Sequence, residues 1–376
     1  MSPQTKKKSA RKSCSRSERI ENRARRPRRL ARGFAGVVLL LCALGGEVRA
    51  SPWALPSGRL AVTGSVDYSF ATREFLDARR ARPFPLEGFF QSTTFNLGSR
   101  YGLGRGWDLE VNIPVKVVSY ASEPVILLPP APDVPVFDGF QENVIDLSRT
   151  EAGIADIEAA VRKQWLRGPA VFSTQLVAKI PAGYQGPAGT FGESPTTQEE
   201  FLENPARFVR PENVRDDVTL GDGQVDLTAW LHGGASTSEG LFLRAAIGYR
   251  LRLDGAADQV VTEARIGQLF GKRVVLYGGY RWAYSVEEGR PIGISVAAVD
   301  SELPATEYGG LTNLFLRELR LEQDELRVGG GAIIKIFPRT EINIGYERTV
   351  WGRNVAEVNA FTLSVGYLAN LLGSAS

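Results

Sequence analysis

The feature that most constrains this chain is a two-residue alternation of apolar and polar side chains. It recurs in about a dozen segments of roughly ten residues, and after residue 50 no run stays apolar for the ~18 residues of a membrane helix. Residues 107–117, WDLEVNIPVKV, put Trp107, Leu109, Val111, Ile113, Val115 and Val117 on one face and Asp108, Glu110, Asn112, Pro114 and Lys116 on the other. Residues 156–165, 171–180 and 241–252 do the same, the last setting Leu241, Leu243, Ala245, Ile247, Tyr249 and Leu251 against Arg244, Arg250 and Arg252. The pattern returns at 59–70, 91–101, 224–236, 259–270, 274–285, 326–337, 341–351 and 359–368. Connections are either short (102–106, 167–169, 238–240, 271–273, 338–340) or long (71–90, 119–153, 182–221, 286–325).

Strands with one apolar and one polar face, joined by tight turns on one side and long loops on the other, are the pattern of an outer-membrane barrel. In lipid every backbone polar group must pair internally, so a sheet facing lipid has to close on itself. The expectation is an all-β fold, a transmembrane antiparallel β-barrel of 12 strands with long extracellular loops. An even count keeps both termini on the periplasmic side. The segment 311–321 is apolar without clean alternation and is placed in the loop 286–325 as a short helix. Pairing it with a strand near 292–298 gives the alternative of 14 strands. Trp107 and Trp165 fall beside short turns, and Tyr280, Trp282 and Tyr284 fall on the apolar face toward the other rim, where interfacial girdles lie. A soluble β-sandwich alternates too, but lacks a reason for the girdles, the turn and loop asymmetry, or the leader described next.

Charge separates two segments. Residues 1–50 hold 14 lysines and arginines against three acids, a net of +11, leaving 31 bases and 39 acids, a net of −8, in 51–376. The basic stretch ends at Arg32 and runs into GFAGVVLLLCALGG, too short to span a bilayer and of the right length for a signal-peptide core. Val48 and Ala50 occupy the −3 and −1 positions of a cleavage site, so residues 1–50 are expected to be a signal peptide cleaved after Ala50, and 51–376 the barrel. The basic charge then belongs to the leader, and a nucleic-acid partner is not expected. Both cysteines, Cys14 and Cys42, lie in the leader, so 51–376 has no thiol.

Chemistry is sparse. His232 is the only histidine; it shares the polar face with Asp226, Thr228 and Trp230 and reads as a wall residue, the other reading being a hydrolase that pairs it with a serine on another strand. Gly102-Leu103-Gly104-Arg105-Gly106 lacks phosphate-loop spacing and reads as a tight turn. The acids of residues 220–226 lack calcium-loop spacing. Gly329-Gly330-Gly331 inside a strand pattern reads as barrel curvature or a close approach. No cofactor, metal or catalytic residue is called for.

The lumen charges carry more. Asp108, Glu110, Asp156 and Glu158 sit on two strands, and Arg244, Arg250, Arg252, Arg265 and Arg281 on three others. With Arg162 and His232 they are the expected lumen-lining set. One reading is a transverse field across the pore, acidic on one arc and basic on the other. The other is local pairing, for which Glu158–Arg162 and Glu263–Arg265 are near enough on their own strands.

Short motifs resemble the outer-membrane family linked to the meta-pathway of phenol degradation. They are Gly153-Ile154-Ala155-Asp156-Ile157, Lys179-Ile180-Pro181-Ala182-Gly183, Gly248-Tyr249-Arg250, Gly279-Tyr280-Arg281, and Gly345-Tyr346-Glu347-Arg348 followed by Gly352-Arg353-Asn354, in order across roughly residues 90–368. The resemblance implies a barrel passing small, often aromatic or hydrophobic, compounds. One departure is the end of the chain: such barrels finish on an aromatic residue, whereas nine residues follow Tyr367.

The expectation is therefore a passive channel or transporter for small molecules in the outer membrane of a Gram-negative bacterium, not an enzyme. Its partners would be the lipid bilayer, the barrel-assembly machinery and a small-molecule solute. The alternative is a structural or adhesive surface barrel with a plugged lumen. The loops 119–153 and 182–221 are expected to fold inward and set selectivity.

Overall fold

A computed structural model describes residues 52–76, 80–123, 125–126, 144–145, 148–192, 194–203, 218–298 and 314–370. The expected leader with its expected cleavage site, and the prolines of the 119–153 loop, lie outside the described residues.

Twelve strands close into one antiparallel barrel. They are β1 (Arg59–Ala71), β2 (Phe89–Gly104), β3 (Trp107–Ala121), β4 (Asp156–Leu166), β5 (Ala170–Pro181), β6 (Asp226–Ser236), β7 (Leu241–Arg252), β8 (Gln259–Phe270), β9 (Val274–Ser285), β10 (Asp324–Phe337), β11 (Thr340–Arg353) and β12 (Asn359–Asn370). Each pairs with its sequence neighbours, and β1 closes the ring on β12 with Val66 opposite Leu363. The wall therefore has no free edge, as a lipid-facing sheet requires. The two-residue period sorts side chains as expected: Trp107, Leu109, Val111, Ile113, Val115 and Val117 are exposed on the outside, while Asp108 and Val118 face in and are buried. Lys163 caps the turn-side aromatics, with Nζ 4.9 Å from the Trp107 ring centroid and 5.5 Å from that of Trp165. At the other rim Tyr249, Tyr280 and Tyr284 are exposed.

Two local features follow from single residues. Pro114 lacks an N–H, and β3 meets a bulge in its partner there: Val115 pairs with Ile154 and Asn112 with Glu158, leaving Ala155 to donate its N–H to the Pro114 carbonyl at 3.0 Å. The β2–β3 turn puts Gly104, Arg105 and Gly106 at φ of 92°, 51° and 84°. Three successive left-handed residues account for the glycines of the motif that imitates a phosphate loop.

The segment expected to be a short helix is instead a strand. Leu314–Arg320 pairs antiparallel with Pro291–Ala298 as a separate two-stranded sheet outside the ring, so it neither adds strands thirteen and fourteen nor forms a helix. The ring's sorting of apolar and polar side chains therefore does not apply to it.

The last strand runs past the last aromatic residue. Tyr367 lies inside β12, and Ala369 and Asn370 still pair with Leu60 and Arg59. Removing residues 371–376 should leave assembly and heat-modifiable gel mobility unchanged; loss of folded barrel in that variant would show that the last six residues carry an assembly signal.

Candidate functional site

The interior is built in three layers. At the turn end the lumen is occupied by the segment that leads into β1. Pro52 is buried there, and the chain crosses to the far wall. The Ala54 N–H donates to Gln164 Oε1 of β4 at 2.8 Å, the Leu55 N–H donates to the Asp108 carboxylate of β3 at 3.0 Å, and Arg100 of β2 donates to the Trp53 carbonyl. A Cβ at Gly234 of β6 would lie 2.6 Å from Pro52 and 3.1 Å from the Trp53 ring. Because β6 is five strands around the ring from β1, this strap spans the mouth. Arg100 and Asp108, 3% and 1% exposed, pair with each other beneath it. Beside them Arg162 reaches Glu110 at 3.3 Å and Gln175 Oε1 at 3.0 Å, and Gln175 Oε1 meets His232 Nε2 at 3.0 Å.

His232 is 2% exposed and stacks on Trp230, centroids 5.7 Å apart. Ser173 stands opposite it in register, but the Ser173 hydroxyl is buried without a hydrogen-bond partner. No nucleophile–base pair is made between them.

At the loop end residues 218–225 are fastened to the inner wall. Lys116 of β3 donates to the carbonyls of Thr219 and Leu220 at 3.4 and 3.1 Å, and Leu220 and Val218 pack with Val118 and Ala155. Lys179 gathers three carboxylates, Asp222 at 2.6 Å, Asp226 at 2.8 Å and Asp156 at 3.5 Å, while Arg252 holds Asp222 and reaches Asp226 at 3.4 Å. Burial pushes the Asp222 carboxyl up, but Lys179 and Arg252 outweigh it and hold the group below its ordinary value. Tyr184 donates to Asp156, and burial with that hydrogen bond pushes its phenol up. The inward-folding loop is thus realised over residues 218–224.

Farther out, the Thr190 N–H donates to the Ile294 carbonyl at 2.7 Å. Gly189 permits this crossing, since a Cβ there would lie 2.4 Å from the Ile294 backbone. Ile294 is fully buried, and Phe191 stacks on Phe201 at 5.1 Å. The loop after β5 thus meets the loop after β9 across the mouth, as the strap bridges the opposite end.

Between these ends are two adjoining cavities of about 480 and 290 Å³. The larger is lined by Ser, Thr and Asn of β1 and β2, by Glu110, Asp156 and Glu158, and by Arg244, Arg265 and Arg281. The smaller takes Glu110, Glu158, His232, Arg250 and Arg281. Of the expected lining residues, Asp108, Arg162 and Arg252 are buried in the pairs just described and line neither. The acidic arc is largely matched by neighbouring strands, Asp108 by Arg100, Glu110 by Arg162 and Asp156 by Lys179. In these three pairs the cation stands on an adjacent strand. Arg100, Lys116, Lys179, Asp222, Tyr277 and the strap shape the interior through contacts that reading the sequence did not anticipate.

No protein-family model matches the chain, and no curated protein matches it. Among solved structures it is similar to an outer membrane channel from Pseudomonas putida F1, with 10% identity, a TM-score of 0.54, and 86% of this chain and 100% of that one covered. The translocator domain of the autotransporter NalP from Neisseria meningitidis gives 10% identity and a TM-score of 0.39 over 93% of this chain and 96% of that one. The CymD monoaromatic hydrocarbon channel gives 8% and 0.37 over 84% and 89%. The first likeness carries the fold, that of an outer-membrane β-barrel.

Proposed function

We propose that this chain is an outer-membrane channel for the passive passage of small polar solutes in a Gram-negative bacterium. The observation that carries this reading is a polar, charged cavity of about 480 Å³ inside a closed barrel whose outer face is apolar. A lumen of that volume suits a small molecule. Its partners are then the bilayer, the assembly machinery that inserts such barrels, and the solute; nucleic acid is not among them. The resemblance to the phenol meta-pathway family stands as part of this proposal, with one adjustment. Serine, threonine, asparagine and charged side chains supply most of the lining, so an aromatic solute would need a polar group of its own.

A plugged structural barrel is the second reading, favoured by the strap that fills the turn end. Conductance of the purified, refolded protein in a planar bilayer decides between them. Discrete single-channel steps support the channel, and silence under all voltages, with the strap removed as well, supports the plugged barrel. His232→Ala should leave discrete current steps in place and cost stability, about 0.5–1.5 kcal/mol for the lost hydrogen bond and something more for the lost stacking on Trp230, since Gln175 Oε1 keeps Arg162 as a donor. A hydrolytic activity lost in that variant would overturn the non-enzymatic reading.

A further inference from the structure

We infer that the turn-side rim is a docking surface for anionic glycerophospholipids of the leaflet it meets, with the best-formed headgroup seat between the β2–β3 and β4–β5 turns. The inference concerns the outside of the barrel and is independent of whether the lumen conducts. Charge sets this rim apart from the rest of the molecule. Residues 51–376 carry 31 bases against 39 acids. Yet the five tight turns and the first residue of β1 hold Arg59, Arg105, Arg167, Lys272, Arg273 and Arg339 against one acid, Glu239. Five of these cations are exposed and Arg59 is half-buried. Among the described residues none of the six is held in an ion pair. The rim is therefore an uncompensated basic collar in a protein whose overall balance is acidic, and such a surface attracts anions at its own level.

The seat is formed by neighbouring turns. β3 lies beside β4, and the Gln164 N–H donates to the Gly106 carbonyl at 2.8 Å, which joins the two turns. A Cβ at Gly106 would lie 3.3 Å from Arg167 Nη2, so the Arg167 guanidinium reaches across to the turn that carries Arg105. Lys163 stands opposite Trp107 in register, and its Nζ donates to the Arg105 carbonyl at 2.8 Å. Trp107 and Trp165 flank that ammonium, and the Trp165 indole N–H donates to Thr174 Oγ1 at 3.0 Å, which fixes its ring. Exposed tryptophans at strand ends mark the headgroup level of a bilayer, so the cations beside them stand where lipid phosphates stand. Guanidinium forks match phosphate oxygens. The collar then selects the net charge of the headgroup. Phosphatidylcholine offers a phosphate, but its own cation would meet the cations of the rim, whereas phosphatidylglycerol offers the phosphate without one. Clustered Lys and Arg at a membrane surface favour anionic lipid in this way, and salt weakens the attraction.

The test reconstitutes the refolded barrel into mixed vesicles of phosphatidylcholine and phosphatidylglycerol, with one or the other lipid brominated on its acyl chains. Quenching of tryptophan fluorescence then gives the relative association constant of the two lipids, with Trp107 and Trp165 reporting at the seat. Phosphatidylglycerol should be preferred several-fold at low salt, and the preference should fall toward parity at 1 M sodium chloride, where the screening length is about 3 Å. Arg105→Gln combined with Arg167→Gln should abolish most of the preference at low salt, with heat-modifiable gel mobility unchanged. Lys272→Gln combined with Arg273→Gln, on a turn away from both reporters, should lower it by less. Equal quenching by the two lipids overturns the inference. So does a preference that survives in the Arg105→Gln, Arg167→Gln protein, since the lipid would then sit elsewhere on the barrel. Tripolyphosphate bound by the detergent-solubilised protein, with equal quenching by both lipids, overturns it in favour of a soluble anionic partner. None of these results bears on conductance, so the channel reading stands or falls separately.

Discussion

Removal of residues 52–55 should raise single-channel conductance several-fold, measured in the same bilayer and salt as the full chain. The strap crosses five strands of a twelve-strand ring, so it divides the turn-side mouth rather than lining it. What holds it is modest. Backbone N–H groups of Ala54 and Leu55 donate to Gln164 and Asp108, and the Trp53 carbonyl accepts from Arg100. At about 0.5–1.5 kcal/mol net for an ordinary hydrogen bond, and somewhat more for those to charged groups, the strap is held by a few kcal/mol, far less than the barrel wall. Deletion removes it cleanly because Arg100 and Asp108 keep each other as partners. Asp108→Ala is the wrong experiment: it strands a guanidinium that is 3% exposed, and breaking such a buried pair costs about 3–5 kcal/mol, so opening and unfolding would be confused. Unchanged conductance in the deleted protein would mean that the limiting constriction lies at the loop end.

The barrel was legible because one physical rule writes it. A residue facing lipid must be apolar and its neighbour need not be, so Trp107 through Val117 spell out β3, and the expected and observed strands agree to within a few residues. Leu314–Arg320 was not legible, because a hairpin outside the ring is under no such rule. Register is the second limit. Asp108 and Arg100 flank the β2–β3 turn and meet across it, yet which cation answers Glu110 depends on how β3 lies against β4, and alternation alone does not fix that. The strap was invisible for a different reason: Pro52-Trp53-Ala54-Leu55-Pro56 has no period at all, and its signal is displaced onto Gly102 and Gly234, glycines whose missing side chains make room for it. Tyr277 could be placed on the polar face by alternation, but its contact with Asn343 appears only once Gly331 and Gly345 are brought beside it.

Lys179→Met should detach the 218–224 segment from the wall and destabilise the loop end by the largest amount of any single substitution there. Lys179 lies at 2.6–3.5 Å from Asp222, Asp226 and Asp156, and Asp226 is only 2% exposed. Methionine fills the space of the aliphatic stem and removes the charge, leaving Arg252 alone to answer Asp222 and Asp226. The cost should approach the upper part of the 3–5 kcal/mol range for a broken buried pair, because one cation serves three acids. Limited proteolysis reads it directly, with new cleavage in residues 218–224 while the barrel strands stay resistant. The pH dependence gives an independent check with a defined sign. Asp222 has a folded value below its ordinary one, so its contribution is fully present above the ordinary carboxylate range and is lost as pH falls through the depressed value. The loop should therefore resist protease at pH 5 and yield only below about pH 4. Asp222→Asn at neutral pH should reproduce part of that acid behaviour, since the amide keeps the shape and removes the charge that Lys179 and Arg252 hold. A loop that stayed protected in both Lys179→Met and Asp222→Asn would assign its anchoring to the apolar contacts of Val218 and Leu220 with Val118 and Ala155, and the charges around Lys179 would then be secondary.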